Sequence, residues 1–325
     1  MHPRSILLIK PGSMGDVIHA LPVASAIHAA WPDSQITWIV DPRWSPLLKE
    51  NPAIFQTLDF PRQSFFGITG KYRAVRWYCE LKKLKPDLVI DLQGLLRSGL
   101  MAKASGAKEI IGLRDAREGS ALFHTTSVDV VPNEHAVHRY LRCLRTIGIE
   151  IPEKIAFTFP NLKLSQPIDL EEKYIVIHPF ARGKKKALDL ETVYALFAEF
   201  ALLANYQVIL VGMGEPPAAL GSSGLNLVGK TSLQELICLL RGACFVVSVD
   251  SGPMHLAAGL GVPLLGIHTW SDPRLVGPYR EDAWIWQGGE IRRQDFQRPP
   301  LPERKFTADD ARQVARFVAE QVARA

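Results

Sequence analysis

The sequence has few cysteines, and nothing in their spacing ties them together. Its 325 residues include 4 cysteines, at positions 79, 143, 238 and 244, with no C-x-x-C pair and no partner set of histidines that would hold zinc. These absences exclude a disulfide-stapled miniprotein and argue against a zinc module. Reduced thiols in a cytoplasm are the simplest interpretation.

Long hydrophobic runs are also missing. No segment approaches the ~18 consecutive apolar residues that span a bilayer. Near the N-terminus, only the four apolar residues 6–9 precede Lys10 and Pro11, too few for the core of a signal peptide. We therefore expect a soluble protein that stays inside the cell.

The chain does contain enough apolar material for two domains of ordinary size. Hydrophobic residues make up 47% and charged residues 22% of it, as in globular proteins. A length of 325 residues exceeds what one hydrophobic core usually organises. The sequence therefore predicts two domains.

Positive charge is concentrated in one segment. The net charge is +5, yet between residues 71 and 117 eleven Lys and Arg stand against five acids, so this segment can carry all of the excess. Such a segment suits an anionic partner. Within it, Arg76, Trp77 and Tyr78 interleave basic and aromatic side chains, a pattern found both at membrane interfaces and at the edge of a core.

Short apolar runs alternate with helical stretches along the first half of the chain. Strands are predicted at 6–9, 36–40, 88–91 and 109–112, and helices at 17–30, 71–84, 95–104 and 135–147. Near-continuous apolar strands separated by helices indicate a parallel sheet covered on both faces. A proline-rich stretch at about 150–172 is predicted to be a linker.

The second half repeats the alternation. Strands are predicted at 174–178, 207–211, 225–228, 245–249 and 264–267, and helices at 190–204, 233–241, 253–260 and 307–325. The resulting fold class is α/β, with two doubly wound Rossmann-like domains facing a central cleft at the carboxyl ends of both sheets. The predicted domains are 1–160 and 161–306, with 307–325 as a closing amphipathic helix.

The first strand is followed by the loop Lys10-Pro-Gly-Ser-Met-Gly-Asp16. Its two glycines allow a tight turn close to a ligand, and Asp16 stands at the mouth of the next helix with His19 one turn further on. Two interpretations stay open: Asp16 caps the helix, or its carboxylate points into the cleft as a general base. The spacing is not G-x-G-x-x-G, so a dinucleotide fingerprint is not supported.

A second loop, Asp250-Ser251-Gly252, links an apolar strand to a helix. Backbone N–H groups, a serine hydroxyl and the positive end of the helix dipole suit a diphosphate there, flanked by Asp250 and His255. The alternative is an ordinary capped helix start with His255 packed against the strand. A serine nucleophile is disfavoured because the G-x-S-x-G context is missing.

A third loop, residues 178–186, carries one arginine and three lysines after a strand. These cations could neutralise a leaving phosphate, although a run of charges is often only a solvated loop.

Residues 224–231, Gly-Leu-Asn-Leu-Val-Gly-Lys-Thr, match the pattern of a phosphate-binding P-loop. The interior of the match is itself strand-like, whereas a P-loop must follow a buried strand. We predict a strand and a turn here, with Thr231 or Ser232 capping the next helix, and keep a P-loop nucleoside triphosphatase only as a remote alternative.

These loops, taken together, identify a family. The chain resembles glycosyltransferase family 9, the bacterial lipopolysaccharide heptosyltransferases of the GT-B fold, and is most similar to the heptosyltransferase I members. The segments that carry the resemblance are residues 13–22 (SMGDVIHALP), 248–256 (SVDSGPMHL), 91–98 (DLQGLLRS), 116–118 (ARE) and 135–139 (HAVHR).

The resemblance implies an inverting transfer of heptose from ADP-L-glycero-D-manno-heptose to a Kdo residue of the lipopolysaccharide inner core, without a metal or another cofactor. The implied partners are this donor and the lipid A-Kdo acceptor, and no nucleic acid. The implied location is the cytoplasmic face of the inner membrane, with a peripheral attachment. The first domain would bind the acceptor and the second the nucleotide sugar.

The family's functional positions map onto residues of this chain. Asp16 matches the catalytic base and Lys185 the lysine that assists the leaving group. The implied donor-binding residues are Asp250, Ser251, Gly252, His255, Glu215, Lys230, Thr231 and Ser232. The candidate acceptor-binding residues are Ser13, Met14, Gly15, His19, Arg97, Arg114, Arg117 and Arg139, the arginines because guanidinium groups match carboxylate and phosphate.

One loop departs from the family pattern. The usual Lys-x-Trp-Pro is replaced by residues 185–188 (KKAL), and a usual Thr-Thr pair by Phe180-Ala181. These changes leave open which lysine reaches the phosphate. They also keep two alternatives in view: a family member with another nucleotide-sugar donor, and a non-catalytic nucleotide-sugar or glycolipid binder.

Overall fold

The computed structural model describes residues 2–164, 168, 170–183, 185–201, 206–215 and 224–324. The chain divides into two compact units, residues 1–161 and 162–325. No helix in these described ranges is long and apolar enough to cross a membrane.

The N-terminal unit is built on a parallel six-stranded sheet. Its elements are β1 (Ser5–Ile9), α1 (Met14–Ala30), β2 (Gln35–Val40), β3 (Gln56–Asp59), α2 (Gly67–Leu81), β4 (Leu88–Asp91), α3 (Leu96–Ala104), β5 (Glu109–Leu113), β6 (Thr126–Val128) and α4 (Ala136–Thr146). The strand order is β3-β2-β1-β4-β5-β6. The central strand β1 pairs with β2 and β4, and residues 6–9 are almost completely buried, which explains their unbroken apolar run.

The C-terminal unit contains a seven-stranded sheet. Its elements are β7 (Tyr174–His178), α5 (Leu190–Phe200), β8 (Gln207–Leu210), β9 (Gly224–Asn226), α6 (Leu233–Gly242), β10 (Phe245–Val249), α7 (Gly252–Leu260), β11 (Leu264–His268), α8 (Pro273–Val276), β12 (Trp284–Gln287), β13 (Glu290–Arg293) and α9 (Ala308–Ala323). The order is β13-β12-β11-β10-β7-β8-β9, and only the β12–β13 pair is antiparallel among the described strands.

Four strands were not predicted from the sequence: β3, β6, β12 and β13. Each is short, and β3 (QTLD) and β6 (TSV) lack an apolar run because they lie at the edges of the first sheet, only half-buried. The last two form a hairpin at one edge of the second sheet. The apolar pattern does not reveal β3 and β6, because half-buried edge strands need little hydrophobic sequence. Strand β12 (WIWQ) lies between β11 and β13 and is mostly buried, but it is only four residues long.

Some element boundaries also differ from the predicted ones. Helix α2 begins at Gly67, four residues before the predicted start, and ends at Leu81, before the lysines that follow. Strand β9 ends at Asn226 rather than at 228. The end of the helix predicted for 190–204 falls on residues 202–205, outside the described part of the chain, and the described helix ends at Phe200.

The helix predicted at the C-terminal end is present as α9. The Thr307 N–H and hydroxyl donate to the Asp310 carboxylate and cap its first turn. Its buried residues pack into the core of the C-terminal unit next to α5. The side chains of Val314 and Val318, for example, are completely buried.

Candidate functional site

In the N-terminal unit, the loop after β1 turns sharply into α1. Gly12 has a φ of +157°, and a side chain there would bring a Cβ to 3.0 Å from Nε1 of Trp44, so glycine is required. The N-cap of α1 is Ser13, and Asp16 occupies the third helical position. Asp16 is therefore not the N-cap residue itself, although its carboxylate forms the capping box with Ser13.

Asp16 is oriented by the helix start. Its Oδ2 accepts hydrogen bonds from the backbone N–H of Ser13 at 2.8 Å and from its hydroxyl at 2.9 Å. Its Oδ1 lies 3.4 Å from the Tyr140 hydroxyl, which donates to it, and 3.8 Å from Nζ of Lys10. The side chain is nevertheless 40% exposed. The Asp16 carboxylate therefore caps the helix through Oδ2 and is still exposed enough to contact a ligand.

The two groups behind Asp16 are buried. Burial raises the pKa of Tyr140, which keeps it a neutral phenol. For Lys10, burial opposes the charged form, but Tyr140 and Asp16 outweigh it, and the pKa of Lys10 is raised. The Lys10 ammonium lies 4.6 Å from the centre of the Tyr140 ring and donates to the carbonyl of Leu92 at 3.0 Å. We call Lys10, Ser13, Asp16 and Tyr140 the Asp16 cluster.

The candidate acceptor residues of the same loop and helix differ in exposure. Ser13 is exposed, whereas Met14, Gly15 and His19 are buried. The His19 ring packs edge-on against the ring of His135, with 5.2 Å between the ring centres. The buried side chains of Met14 and His19 therefore support the loop by packing beneath it.

The four candidate arginines lie in different surroundings. Arg114 pairs with Asp129 at 2.8 Å on the exposed surface, and Arg139 binds both oxygens of Asp115 at 2.6 Å. Arg117 is exposed, and its backbone N–H donates to Gly94.

The fourth arginine, Arg97, is half-buried. Its pKa is lowered by burial and by the nearby Arg62. The nearby Glu118 carboxylate acts on this pKa in the opposite direction.

In the C-terminal unit, a buried carboxylate follows β10. Asp250 is 6% exposed, its Oδ2 lies 2.5 Å from Nζ of Lys186, and its Oδ1 lies 3.6 Å from Nε2 of His255. Burial alone would raise the pKa of Asp250. The hydrogen bond from His255 and the charges around it, including Lys186, outweigh burial and hold that pKa well below its usual range.

Two histidines, His178 beside Ser251 and His268 near Asp250, are buried and neutral. Burial lowers the pKa of His178 and that of His268 to about 4. His178 Nδ1 lies 3.0 Å from the Ser251 hydroxyl, and His268 Nδ1 lies 3.0 Å from that of Ser271. We call the set of residues around this carboxylate the Asp250 cluster: His178, Lys186, Asp250, Ser251, His255 and His268.

The Asp250 cluster includes the start of a helix. Ser251 is the N-cap of α7, and Gly252 is its first residue. Backbone N–H groups at these positions have no carbonyl partner within the helix, and the helix dipole favours negative charge there. With the Lys186 ammonium close by, this arrangement can hold a diphosphate.

The basic loop places its two described lysines differently. Lys186 makes the ion pair with Asp250, whereas Lys185 lies beside Trp270, with Nζ 5.9 Å from the ring centre, and its carbonyl accepts a hydrogen bond from Thr269 at 2.7 Å. A cavity of about 550 Å³ is lined by Lys185, Ala187 and Trp270 among others. Lys184 lies outside the described residues.

The residues that depart from the family pattern have aromatic and glycine neighbours in the structure. Trp270, half exposed, lies next to both lysines and supplies an aromatic side chain near the position where the family's Trp is replaced by Ala187. Phe180, at a position where the family has a threonine, packs directly over Gly212 and Gly214, where any Cβ would collide with its ring.

The other predicted donor residues sit on the loops after β8 and β9. Glu215 is exposed. Ser232, and not Thr231, caps α6, and its N–H and hydroxyl both donate to Glu235. The Lys230 ammonium donates to the carbonyl of Asn226. Because residues 224–226 form a strand inside the Gly-x-x-x-x-Gly-Lys-Thr match, the P-loop interpretation is wrong.

Several residues at these sites were not singled out from the sequence. Tyr140 reaches Asp16 from a helix more than a hundred positions later. His268, at the end of β11, interacts with Asp250, and Trp270 lies beside Lys186, which pairs with Asp250. The sequence offers one signal for His268: it comes directly after a predicted strand that neighbours β10, and neighbouring parallel strands bring their carboxyl ends to one edge of the sheet.

Within residues 2–164, 168, 170–183, 185–201, 206–215 and 224–324, no group of three or more His, Cys, Asp or Glu side chains is arranged to hold a metal ion.

Comparison with known proteins supports one family. The family model for glycosyltransferase family 9 (heptosyltransferase) matches residues 75–302. The lipopolysaccharide core heptosyltransferase OpsX of Haemophilus influenzae is 26% identical over 313 residues, covering 91% of this chain and 88% of that protein. Lipopolysaccharide heptosyltransferase 1 of Escherichia coli K12 is 28% identical over 302 residues, covering 86% and 92%.

A solved structure shows the same fold. The heptosyltransferase WaaC of E. coli, with ADP-2-deoxy-2-fluoro heptose, superposes with a TM-score of 0.77 at 23% identity, covering 98% of this chain and 99% of that one. The expected α/β fold class, of the GT-B type, is thereby confirmed. With a family model matched over most of its length, the chain belongs to glycosyltransferase family 9 and is a heptosyltransferase of lipopolysaccharide core biosynthesis.

Proposed function

We propose that this enzyme transfers heptose from ADP-L-glycero-D-manno-heptose to a Kdo residue of the lipopolysaccharide inner core, with inversion at the anomeric carbon. The observation that carries the proposal is the Asp16 carboxylate, held by Ser13 through one oxygen and still 40% exposed. The donor follows from the family and from relatives named heptosyltransferase 1, and the E. coli protein was solved with an ADP-heptose analogue.

Asp16 acts as the general base. Its two hydrogen bonds from Ser13 fix the carboxylate, so little reorganisation is needed when the acceptor binds. It removes the proton from the Kdo hydroxyl as that oxygen attacks the anomeric carbon. The C–O bond to the diphosphate breaks on the opposite face, the electron pair leaves with ADP, and the anomeric configuration is inverted.

The Asp250 cluster holds the donor. Ser251 and Gly252 bind the diphosphate through their backbone N–H groups, and Asp250 accepts hydrogen bonds from sugar hydroxyls. Lys186 lies against Asp250 and is close enough to the start of α7 to offset charge that develops on the departing phosphate. His255 on α7 holds Asp250 ionised. Glu215, Lys230, Thr231 and Ser232 complete the proposed donor set.

The two units bind different substrates. The N-terminal domain, residues 1–160, binds the acceptor through the loop around Asp16 and through cations of the segment 71–117. The C-terminal domain, 161–306, binds the nucleotide sugar, and 307–325 is the closing helix. The enzyme works at the cytoplasmic face of the inner membrane, where its lipid-linked acceptor is found.

Turnover with a panel of donors tests the function. The purified protein is mixed with Kdo-lipid A and with ADP-heptose, ADP-glucose or UDP-glucose, and both the released nucleotide and the product mass are measured. We expect ADP release and the mass of one added heptose only with ADP-heptose. Turnover with another donor would reassign the substrate, and binding without turnover for every donor would identify a non-catalytic binder.

The two lysines allow a matched test of the leaving-group role. We expect Lys186→Gln to lower kcat by about a hundredfold, the usual effect of losing one group that stabilises developing charge. Lys185→Gln, one residue earlier and facing Trp270, is the matched control and is expected to change kcat by less than about fivefold. Steady-state kinetics with thermal unfolding as a folding check measure both. The reverse ranking would restore Lys185, the residue matched by the family, to this role.

A further inference from the structure

Helix α2 has two apolar faces, and one of them packs inside the N-terminal unit. Trp77 contacts the rings of Phe60 and Phe65, and its Nε1 donates to the carbonyl of Asp59 at 2.9 Å. Leu81 and Gly70 on the same side are buried. Trp77 and Tyr78, which the sequence left open as membrane-interface residues, are thus packed or half-buried core-edge residues.

The other apolar face of α2 is exposed. Ile68, Tyr72 and Val75 have 89%, 72% and 63% of their surface exposed. Spacings of four and three residues put them on one side of the helix, opposite Gly70 and Trp77. Phe66, just before the helix, is 73% exposed. We call Phe66, Ile68, Tyr72 and Val75 the outer stripe.

This exposure is unusual for a surface helix. The outward face of such a helix normally carries charged and polar residues, because water solvates them while the apolar side packs on the core. Here the core side is already filled, so the outer stripe has no packing role within the unit. Contiguous exposed apolar residues mark interaction sites.

The charges around the outer stripe indicate what it contacts. Lys71 lies on one side of it and Arg76 on the other, at helical offsets that flank Tyr72 and Val75. The one acid of the helix, Glu80, is paired with Lys83 at 2.7 Å. An apolar stripe bordered by cations is the pattern of a helix that lies in the interface of an anionic membrane.

We propose that the outer stripe of α2 docks on an anionic lipid bilayer, with its four apolar side chains at the boundary of headgroups and acyl chains and Lys71 and Arg76 against lipid phosphates. The inference rests on the proposed function in one respect, that the acceptor is carried by such a membrane. It names the element by which the enzyme reaches it.

Sedimentation with lipid vesicles tests the docking surface. We expect the protein to bind vesicles of phosphatidylglycerol and phosphatidylethanolamine, and to bind much less to phosphatidylcholine vesicles or in about 0.5 M NaCl, since salt screens exposed charges. Ile68→Ser should lower the partition coefficient about tenfold, and Ile68→Ser/Val75→Ser further. Met213→Ser, which removes an equally exposed apolar side chain (78%) from the C-terminal unit, is the matched control and should change nothing.

Activity on a deacylated, water-soluble Kdo acceptor separates the two proposals. The stripe variants should keep the wild-type kcat on it, because they leave the Asp16 and Asp250 clusters untouched. If the wild-type enzyme shows no turnover of this soluble acceptor but still binds vesicles, the proposed function is contradicted and the docking surface is not. Vesicle binding that is absent, or that survives in the double variant, would overturn the docking surface. So would a dimer in size-exclusion chromatography that Ile68→Ser dissolves without any vesicle binding, since the stripe would then join two copies of the chain.

Discussion

Asp16→Asn is expected to lower kcat by about a hundred- to ten-thousandfold, the range lost when a positioned general base is removed. The amide is nearly the same shape as the carboxylate and can still accept hydrogen bonds from Ser13 through its oxygen. It cannot take a proton from the acceptor hydroxyl. The affinity for ADP-heptose, measured by calorimetry, should stay within about threefold of wild type, because the proposed donor site lies in the other unit.

A second variant separates the base from its support. Ser13→Ala removes the hydroxyl bond to Asp16 but leaves the backbone N–H bond and the carboxylate itself. We expect only about a tenfold lower kcat, since the base remains but is less well held. Turnover by Asp16→Asn at the wild-type rate would remove Asp16 from the role of base.

Acidification from pH 6.5 to pH 5 is expected to destabilise the C-terminal unit by about 2 kcal/mol for each of His178 and His268. Burial lowers the pKa of both to about 4, against 6.5 for an ordinary histidine. Between these values the unfolded chain binds protons that the folded chain does not, so stability is lost as pH falls through this window. The combined loss is a large part of the stability of a typical domain.

Amide hydrogen exchange of β10 and β11, corrected for the intrinsic rate at each pH, measures this loss in the unit concerned. His178→Asn keeps a polar atom near the Ser251 hydroxyl but does not titrate. Between pH 6.5 and pH 5, the free energy of unfolding of this variant should therefore fall about half as much as that of the wild type. An equal pH dependence in the variant and in the wild type would show that His178 is not a source of the effect.

Candidate site residues can be predicted from the sequence where the pattern that marks them spans only a few neighbouring positions. Asp16, Ser251 and Gly252 lie where the loop after a predicted strand enters a helix, and the loops at the carboxyl ends of parallel strands are where ligands bind. The start of α7 was predicted to within one residue for the same reason, since an apolar strand, a small-residue turn and an apolar helix follow one another without interruption.

Partners distant in sequence could not be predicted in this way. The two lysines 185 and 186 are chemically equivalent in the sequence, and the family pattern favours the first. Both ammonium groups lie beside the Trp270 ring, but of the two it is Lys186 that the fold brings to 2.5 Å from Asp250. Likewise, the sequence of the cationic segment 71–117 does not indicate which of its side chains are paired, as Arg114 is with Asp129.

Apolar periodicity and the residues after each strand determined, by themselves, that this is a doubly wound α/β protein with an acid at 16 and an anion-binding turn at 250–252, because local steric and burial preferences act over a few positions. Tertiary structure alone decided which ions pair, which histidines lose their charge and which face of α2 stays exposed. Those outcomes depend on burial and on distances between atoms far apart in the chain, and no short window of sequence contains them.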